Sequence, residues 1–236
     1  MVTRTEAVTR SLRQRVLEGT YAPGARLNEM ALAESLSVSR TPIRAALGVL
    51  FAEGLLDYEP NCGYVVRSLS LSEAVHIYTV RATLEGLAAR LAAEAGLDAP
   101  QRQAMRDNLD EMRGLVLGER WEEAQQRRWG ELNRAFHALI CALAGNGYLT
   151  ASIQRTLVLP LLTERGVKTF EAQRAVIWWD RSDYRRAYED HRDIGEAIFA
   201  RQGSRAEAVM REHIDRAGRL IGRKLAIRSE EELALP

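Results

Sequence analysis

Apolar residues at the start of the chain recur at helical spacing. Between Arg4 and Glu18 they fall at Val8, Leu12, Val16 and Leu17, one face of a helix. Gly19 and the Pro23-Gly24 pair stop that helix and turn the chain. A second, short helix is expected from Asn28, a good cap, to Leu36, with Met30, Leu32, Ala33 and Leu36 facing inward. A third begins after Ser39. Pro42 falls in its first turn, where a missing N–H costs little, and Ile43, Ala46, Leu47 and Leu50 form its buried stripe before Gly54 ends it. The period then shortens. Leu55–Glu59 and Tyr64–Val66 read as short strands around Pro60-Asn61-Cys62-Gly63. Three short helices and a hairpin describe a winged helix-turn-helix over residues 1–68.

From Ser70 onward every periodic stretch is helical. Ser70 with Glu73 makes a capping box ahead of the first of them. The spacing predicts helices over 71–95, 98–117, 121–144, 147–165, 170–179, 183–201 and 204–227. Gly96, Gly118, Gly145-Asn146-Gly147 and Gly203-Ser204 separate them, glycines that can close a helix with left-handed φ. Residues 69–228 are therefore expected to form an all-α domain, and the acidic stretch 229–236 to be loose. The fold class is mainly α, a winged helix-turn-helix followed by a helical bundle.

Composition changes this picture little. Charge is balanced, 33 Lys+Arg against 32 Asp+Glu in 236 residues, so any affinity for nucleic acid must come from a local patch. Cys62 and Cys141 make no CxxC, which suits a reducing cytoplasm. No apolar leader or membrane-length run is present, so no membrane partner is expected. Gly-rich phosphate loops, G-x-S-x-G and HExxH are absent too.

The densest chemistry lies at Leu36–Arg44. Ser39 is expected to cap the third helix, leaving Arg40, Thr41 and Arg44 on its exposed N-terminal turn, the end of a recognition helix that enters the major groove. Arg donates two bonds to guanine O6 and N7, while Thr and free helix N–H groups suit phosphate. Asn61 and Gly63, at the wing tip, can approach the DNA backbone or minor groove or serve only as turn residues. Arg10 and Arg13 read as a solvated face more than as phosphate contacts.

These residues carry a resemblance. Tyr21–Glu29, Leu32-Ala33, Val38–Leu47, Glu53-Gly54-Leu55 and Gly63–Val66 closely resemble GntR-family regulators across nearly all of residues 4–67. The match implies DNA contacts from Arg40, Thr41 and Arg44, with support from Gly63. Two positions depart from the pattern. Ser37 stands where the family has a glycine in the interhelical turn, so a positive φ there would cost about 1 kcal/mol. Met30 stands where some members have a further DNA-contacting arginine.

Four histidines follow, His76, His137, His191 and His213, and Asn133 shares a helix face with His137. Spacing alone does not separate them from structural histidines. Residues 71–225, however, resemble the FCD domain of the FadR subgroup, through Tyr78–Glu85, Ala88–Ala92, Asn133–His137, Ala144–Asn146, Glu189–His191 and Met210–Ile214. Many FCD domains bind metal through Asp and three His. The resemblance implies His137, His191 and His213 as ligands of a divalent ion, Zn²⁺ or Ni²⁺, with Asn133 in the Asp position. A neutral amide is the weaker ligand, so metal binding and a vestigial polar pocket both stay open. His76 does not match and reads as structural or exposed. Arg81 is either a bidentate clamp for an effector carboxylate or the partner of Glu85. Trp178-Trp179 reads as core packing, or as the lining of a pocket or an interface.

Together these readings describe a homodimeric transcriptional repressor that binds a pseudo-palindromic operator. The resemblance implies that a small organic acid bound beside the metal controls it. A metal-dependent hydrolase using the three histidines is the rival, but the sequence designates no general base and that reading leaves the N-terminal domain unexplained. A purely structural metal is the third reading. Whether the effector releases or tightens DNA stays open.

Overall fold

The computed structural model describes residues 3–67, 71–157 and 179–233. Most of them divide into two compact units, one of residues 3–67 and one of 71–156 with 179–233.

In the first unit, α1 (Arg4–Glu18) starts at Thr3, whose side chain and that of Glu6 exchange backbone bonds in a capping box. It buries Val8, Thr9, Leu12 and Val16 and ends at Gly19, φ +70°. In α2 (Glu29–Ser35), Asn28 Oδ1 accepts from the N–H groups of Met30 and Ala31. Leu32 and Ala33 face the core. Met30 does not face inward as expected. It is 66% exposed, because two residues of helix turn it about 200° from Leu32. The third helix, α3 (Arg40–Ala52), sends Ile43, Ala46, Leu47 and Leu50 fully into the core against Leu12 and Leu55.

The expected hairpin is present. Strands β1 (Leu56–Glu59) and β2 (Gly63–Val66) pair antiparallel in the register Leu56↔Val66, Asp57↔Val65, Tyr58↔Tyr64, Glu59↔Gly63. Residues 24–27 run along β2. Gly24 N–H donates to Val66 O at 2.8 Å, Val66 N–H to Ala25 O at 2.9 Å, and Leu27 N–H to Tyr64 O at 2.9 Å. The wing is thus tied to the segment leading into α2. The Pro and Gly of that segment hide such pairing from a reading of strand propensity.

Ser37 has φ +51°, the strained left-handed conformation that a glycine would take freely. Ser37→Gly is expected to stabilise this unit by up to about 1 kcal/mol. The check is the urea midpoint at unchanged m-value.

The second unit consists of α4 (Leu71–Ala95), α5 (Ala99–Leu117), α6 (Glu123–Leu143), α7 (Gly147–Leu157), α8 (Arg181–Phe199) and α9 (Gly203–Leu233). Asp98 and Asp180 cap α5 and α8 through capping boxes. Small side chains line the buried face of α4, at Ala82, Ala88, Ala89, Ala92 and Ala93, and α9 packs closely there. At Gly218 of α9 an added Cβ would lie 2.6 Å from Tyr78 Cβ, so only glycine permits that approach. Met105, Leu109 and Met112 of α5, Phe136 and Ile140 of α6, and Ile194 and Ile198 of α8 complete the core.

Two expectations about this unit change. The helix α9 continues to Leu233, so the described part of the tail expected to be loose, 229–233, is helical. Its Glu and Leu residues are good helix formers. Gly118 closes α5 with φ −59°, not a left-handed φ, whereas Gly96 and Gly145 do take +76° and +63°. Ser70, residues 158–165 of the helix expected over 147–165, and residues 170–178 of the one expected over 170–179, Trp178 included, lie outside the described residues. No helix among the described residues is long and apolar enough to cross a membrane.

Candidate functional site

The first candidate site is the start of α3. Ser39 occupies the N-cap position, but its side chain, contrary to expectation, takes no bond from the first turn. The leading N–H groups of α3 therefore have no serine to satisfy them. Arg40, Thr41 and Arg44 are exposed and, with Ala45, line a shallow surface depression. Neither arginine is free. Arg40 Nη2 donates to Glu29 Oε2 at 3.0 Å, and Arg44 reaches both oxygens of Glu29, through Nε at 3.1 Å and Nη2 at 3.0 Å. The bond to Arg44 leads the causes that hold the Glu29 carboxyl below its ordinary range, with weaker opposition from partial burial.

At the wing tip, Asn61 is exposed with φ +66° and Gly63 has φ +85°. An added Cβ at Gly63 would meet nothing within 4 Å, so conformation alone calls for glycine there. Arg10 is exposed. Arg13 instead pairs with Glu53 through two bonds of 2.6 and 2.9 Å, which tie α1 to the end of α3.

The second site lies inside the helical unit. His137 of α6, His191 of α8 and His213 of α9 each present a ring nitrogen, and the three nitrogens lie within 4.8 Å of one another. His191 and His213 are buried, and their Nε2 atoms stand 3.2 Å apart. Phe136 and Trp129 pack on the His191 ring, with centroids at 4.6 and 5.9 Å.

Acidic groups surround the cluster. His213 Nδ1 lies 3.2 Å from Asp190 Oδ2, and Asp190 also takes Arg216. This carboxylate fixes the proton of His213 on Nδ1 and turns the Nε2 lone pair toward the other imidazoles. Glu85 of α4, 2% exposed, lies 2.7 Å from His137 Nδ1 and receives Arg81 Nε at 2.8 Å. The Glu85–His137 contact is close but poorly aligned, which leaves His137 Nδ1 without a good hydrogen bond. Burial pushes the Glu85 carboxyl up, yet Arg81 and then His137 outweigh it and hold it at about 2. Burial, reinforced by the other two imidazoles, pushes His191 well below its ordinary value. Burial also lowers His213, against the pull of Asp190.

Sequence reasoning placed these groups unevenly. The three histidines converge as expected. Asn133 is half-buried one turn before His137. Arg81 takes the role of Glu85's partner and lies 4.9 Å from the Tyr78 ring centroid. His76 is exposed. Trp179 lies 6.1 Å from Tyr184, within an aromatic group that includes Trp121 and Trp129. Asp190 and Arg216 went unassigned. Asp190 directly precedes a site histidine, and that adjacency is the signal that could have found it.

The donor set suits a divalent ion. Neutral imidazoles are the metal-binding form, and burial keeps His191 and His213 neutral. Two nitrogens on one tetrahedral Zn²⁺ stand roughly 3.3 Å apart, close to the 3.2 Å between His191 and His213.

Comparisons with known proteins agree with both halves. The profile of the gntR family of bacterial regulatory proteins matches residues 4–66, and that of the FCD domain matches residues 76–216. The Nta operon transcriptional regulator of Aminobacter aminovorans is 31% identical over 199 residues, 83% of this chain and 84% of that protein. The HTH-type transcriptional repressor GlaR of Escherichia coli K12 is 26% identical over 212 residues, 87% and 90% of the two chains. The solved structure of E. coli McbR/YncC shares the fold at TM-score 0.69 and 23% identity, covering 94% of this chain and 98% of the other.

Proposed function

This chain belongs to the GntR family of bacterial transcriptional regulators and carries an FCD domain, and from that premise we propose that it is a cytoplasmic repressor whose helical unit senses a small organic acid beside a bound divalent metal. Binding DNA and regulating transcription, not catalysis, is the activity of its family. GlaR, one of its relatives, is named a repressor.

In this reading Arg40 and Arg44 read base edges, and Thr41 with the uncapped start of α3 takes phosphate. Asn61 and Gly63 bring the wing to the backbone. Two copies of the chain bind the two half-sites of a pseudo-palindrome, matching protein symmetry to DNA symmetry.

The sensor reading is carried by the largely buried cluster of three imidazoles, two held neutral, whose facing ring nitrogens lie within 4.8 Å of one another. His137, His191 and His213 would hold Zn²⁺ or Ni²⁺, with Asn133 as a weak fourth ligand. The metal would supply a Lewis-acidic site for a carboxylate oxygen. Around it, Asp190 keeps the His213 proton on Nδ1. Glu85 balances charge and orients His137. An anionic effector would share Arg81 with Glu85, its main partner. Phe136 and Trp129 keep water from His191.

The coupling is tested by fluorescence anisotropy of the operator duplex with the full chain. The duplex is selected by the wild-type protein from a randomised pool. C3–C6 hydroxy and dicarboxylic acids are titrated with Zn²⁺ present. At least one acid is expected to weaken DNA binding about fivefold or more, and DNA to weaken binding of that acid by the same factor. The same acid should do nothing in the His137→Gln/His191→Gln/His213→Gln variant. An equal response in that variant contradicts sensing through the cluster.

A further inference from the structure

We propose that Glu29, outside the recognition helix, is a positioning residue that sets its sequence discrimination by clamping Arg40 and Arg44 from behind. The inference rests on reading those two arginines as DNA contacts.

The geometry is that of a support. Glu29 is the first residue of α2, fixed by the Asn28 cap beside it, and a carboxylate is favoured at that helix end. Its side chain is 22% exposed, against 56% for Arg40 and 66% for Arg44, so the carboxylate sits below the guanidinium groups. It accepts three hydrogen bonds, one from Arg40 and two from Arg44. The Nε–Nη2 edge of Arg44 is occupied, which leaves its outer Nη1 end for a base. Arg40 gives up a single N–H.

Two consequences follow from that arrangement. First, long arginine side chains lose rotamer freedom before DNA arrives, so a correct base pair meets donors already oriented. Second, one negative charge offsets two positive ones beside the groove. That weakens attraction to phosphate, which is blind to sequence, more than it weakens bidentate bonds to a base. Both effects raise the ratio of specific to non-specific affinity. An acidic residue at a DNA-facing surface costs total affinity and gains selectivity.

The test measures full-length protein against the selected operator duplex and a scrambled duplex of equal composition, across a salt series. Glu29→Gln keeps shape and removes charge. It is expected to lower the operator-to-scrambled ratio about tenfold. Binding to scrambled DNA should tighten, with its log K against log salt slope steeper by about one. In an Arg44→Ala background the effect of Glu29→Gln on the ratio should shrink to within about twofold. A thermal melt records whether the fold survives. A ratio unchanged by Glu29→Gln overturns the proposal, as does equal weakening of both duplexes, which marks a structural role. If Arg44→Ala alone leaves the ratio unchanged, the DNA-reading premise fails and the proposal with it.

Discussion

Adding Zn²⁺ or Ni²⁺ at about a hundred times its dissociation constant is expected to raise the melting temperature of the helical unit by about 5–10 °C. An ion that binds only the folded state at that excess adds about 2.7 kcal/mol. In a domain of this size each kcal/mol shifts the midpoint by about 2–4 °C. His191→Gln should abolish the shift. The ring it removes is fully buried, pushed toward neutrality and 3.2 Å from its neighbour. Asn133→Asp should enlarge the shift, because a carboxylate is a stronger ligand than an amide. Differential scanning calorimetry of the chelated and loaded full chain checks both. A shift that survives in His191→Gln places the ion elsewhere.

Replacing Arg81 with Met is expected to destabilise the metal-free helical unit by about 3–5 kcal/mol. Glu85 is 2% exposed and its carboxyl is held at about 2, with burial opposing and Arg81 the larger of the two favourable charges. Without Arg81, His137 alone faces that carboxylate, and its 2.7 Å contact is poorly aligned. The double variant Arg81→Met/Glu85→Leu should recover most of the loss, since an apolar pair of similar volume replaces a buried ion pair at little cost. Urea unfolding of the two singles and the double supplies the cycle. A loss below about 1 kcal/mol in Arg81→Met would mean that the pair is solvated and that Arg81 is free to serve a ligand.

Much of the fold was legible because it rests on local signals. Capping residues, Ile43–Leu50 periodicity and the Pro60–Gly63 turn each act within a few residues. The binding of residues 24–27 to β2 was not legible, since it joins segments distant in sequence, the first of which starts in the Pro23-Gly24 turn. Met30 was misplaced because a seven-residue helix gives too few apolar positions to fix its inward face.

The candidate sites divide in the same way. Ring nitrogens at His137, His191 and His213 meet as the family resemblance implies. Spacing alone could not bring three helices together. The groups that tune the cluster escaped because their partners are tertiary. Asp190 serves His213 from another helix, and Glu85 serves His137 likewise. Glu29 escaped for the same reason. Nothing in its sequence neighbourhood reveals that two arginines of the next helix close over it.

The claim that α3 reads DNA is tested most directly by the affinity of Arg44→Ala for the selected operator. The account predicts a loss of about 1–3 kcal/mol on the operator, a smaller loss on scrambled duplex, and an unchanged fold. Wild-type affinity for the operator in that variant would contradict it.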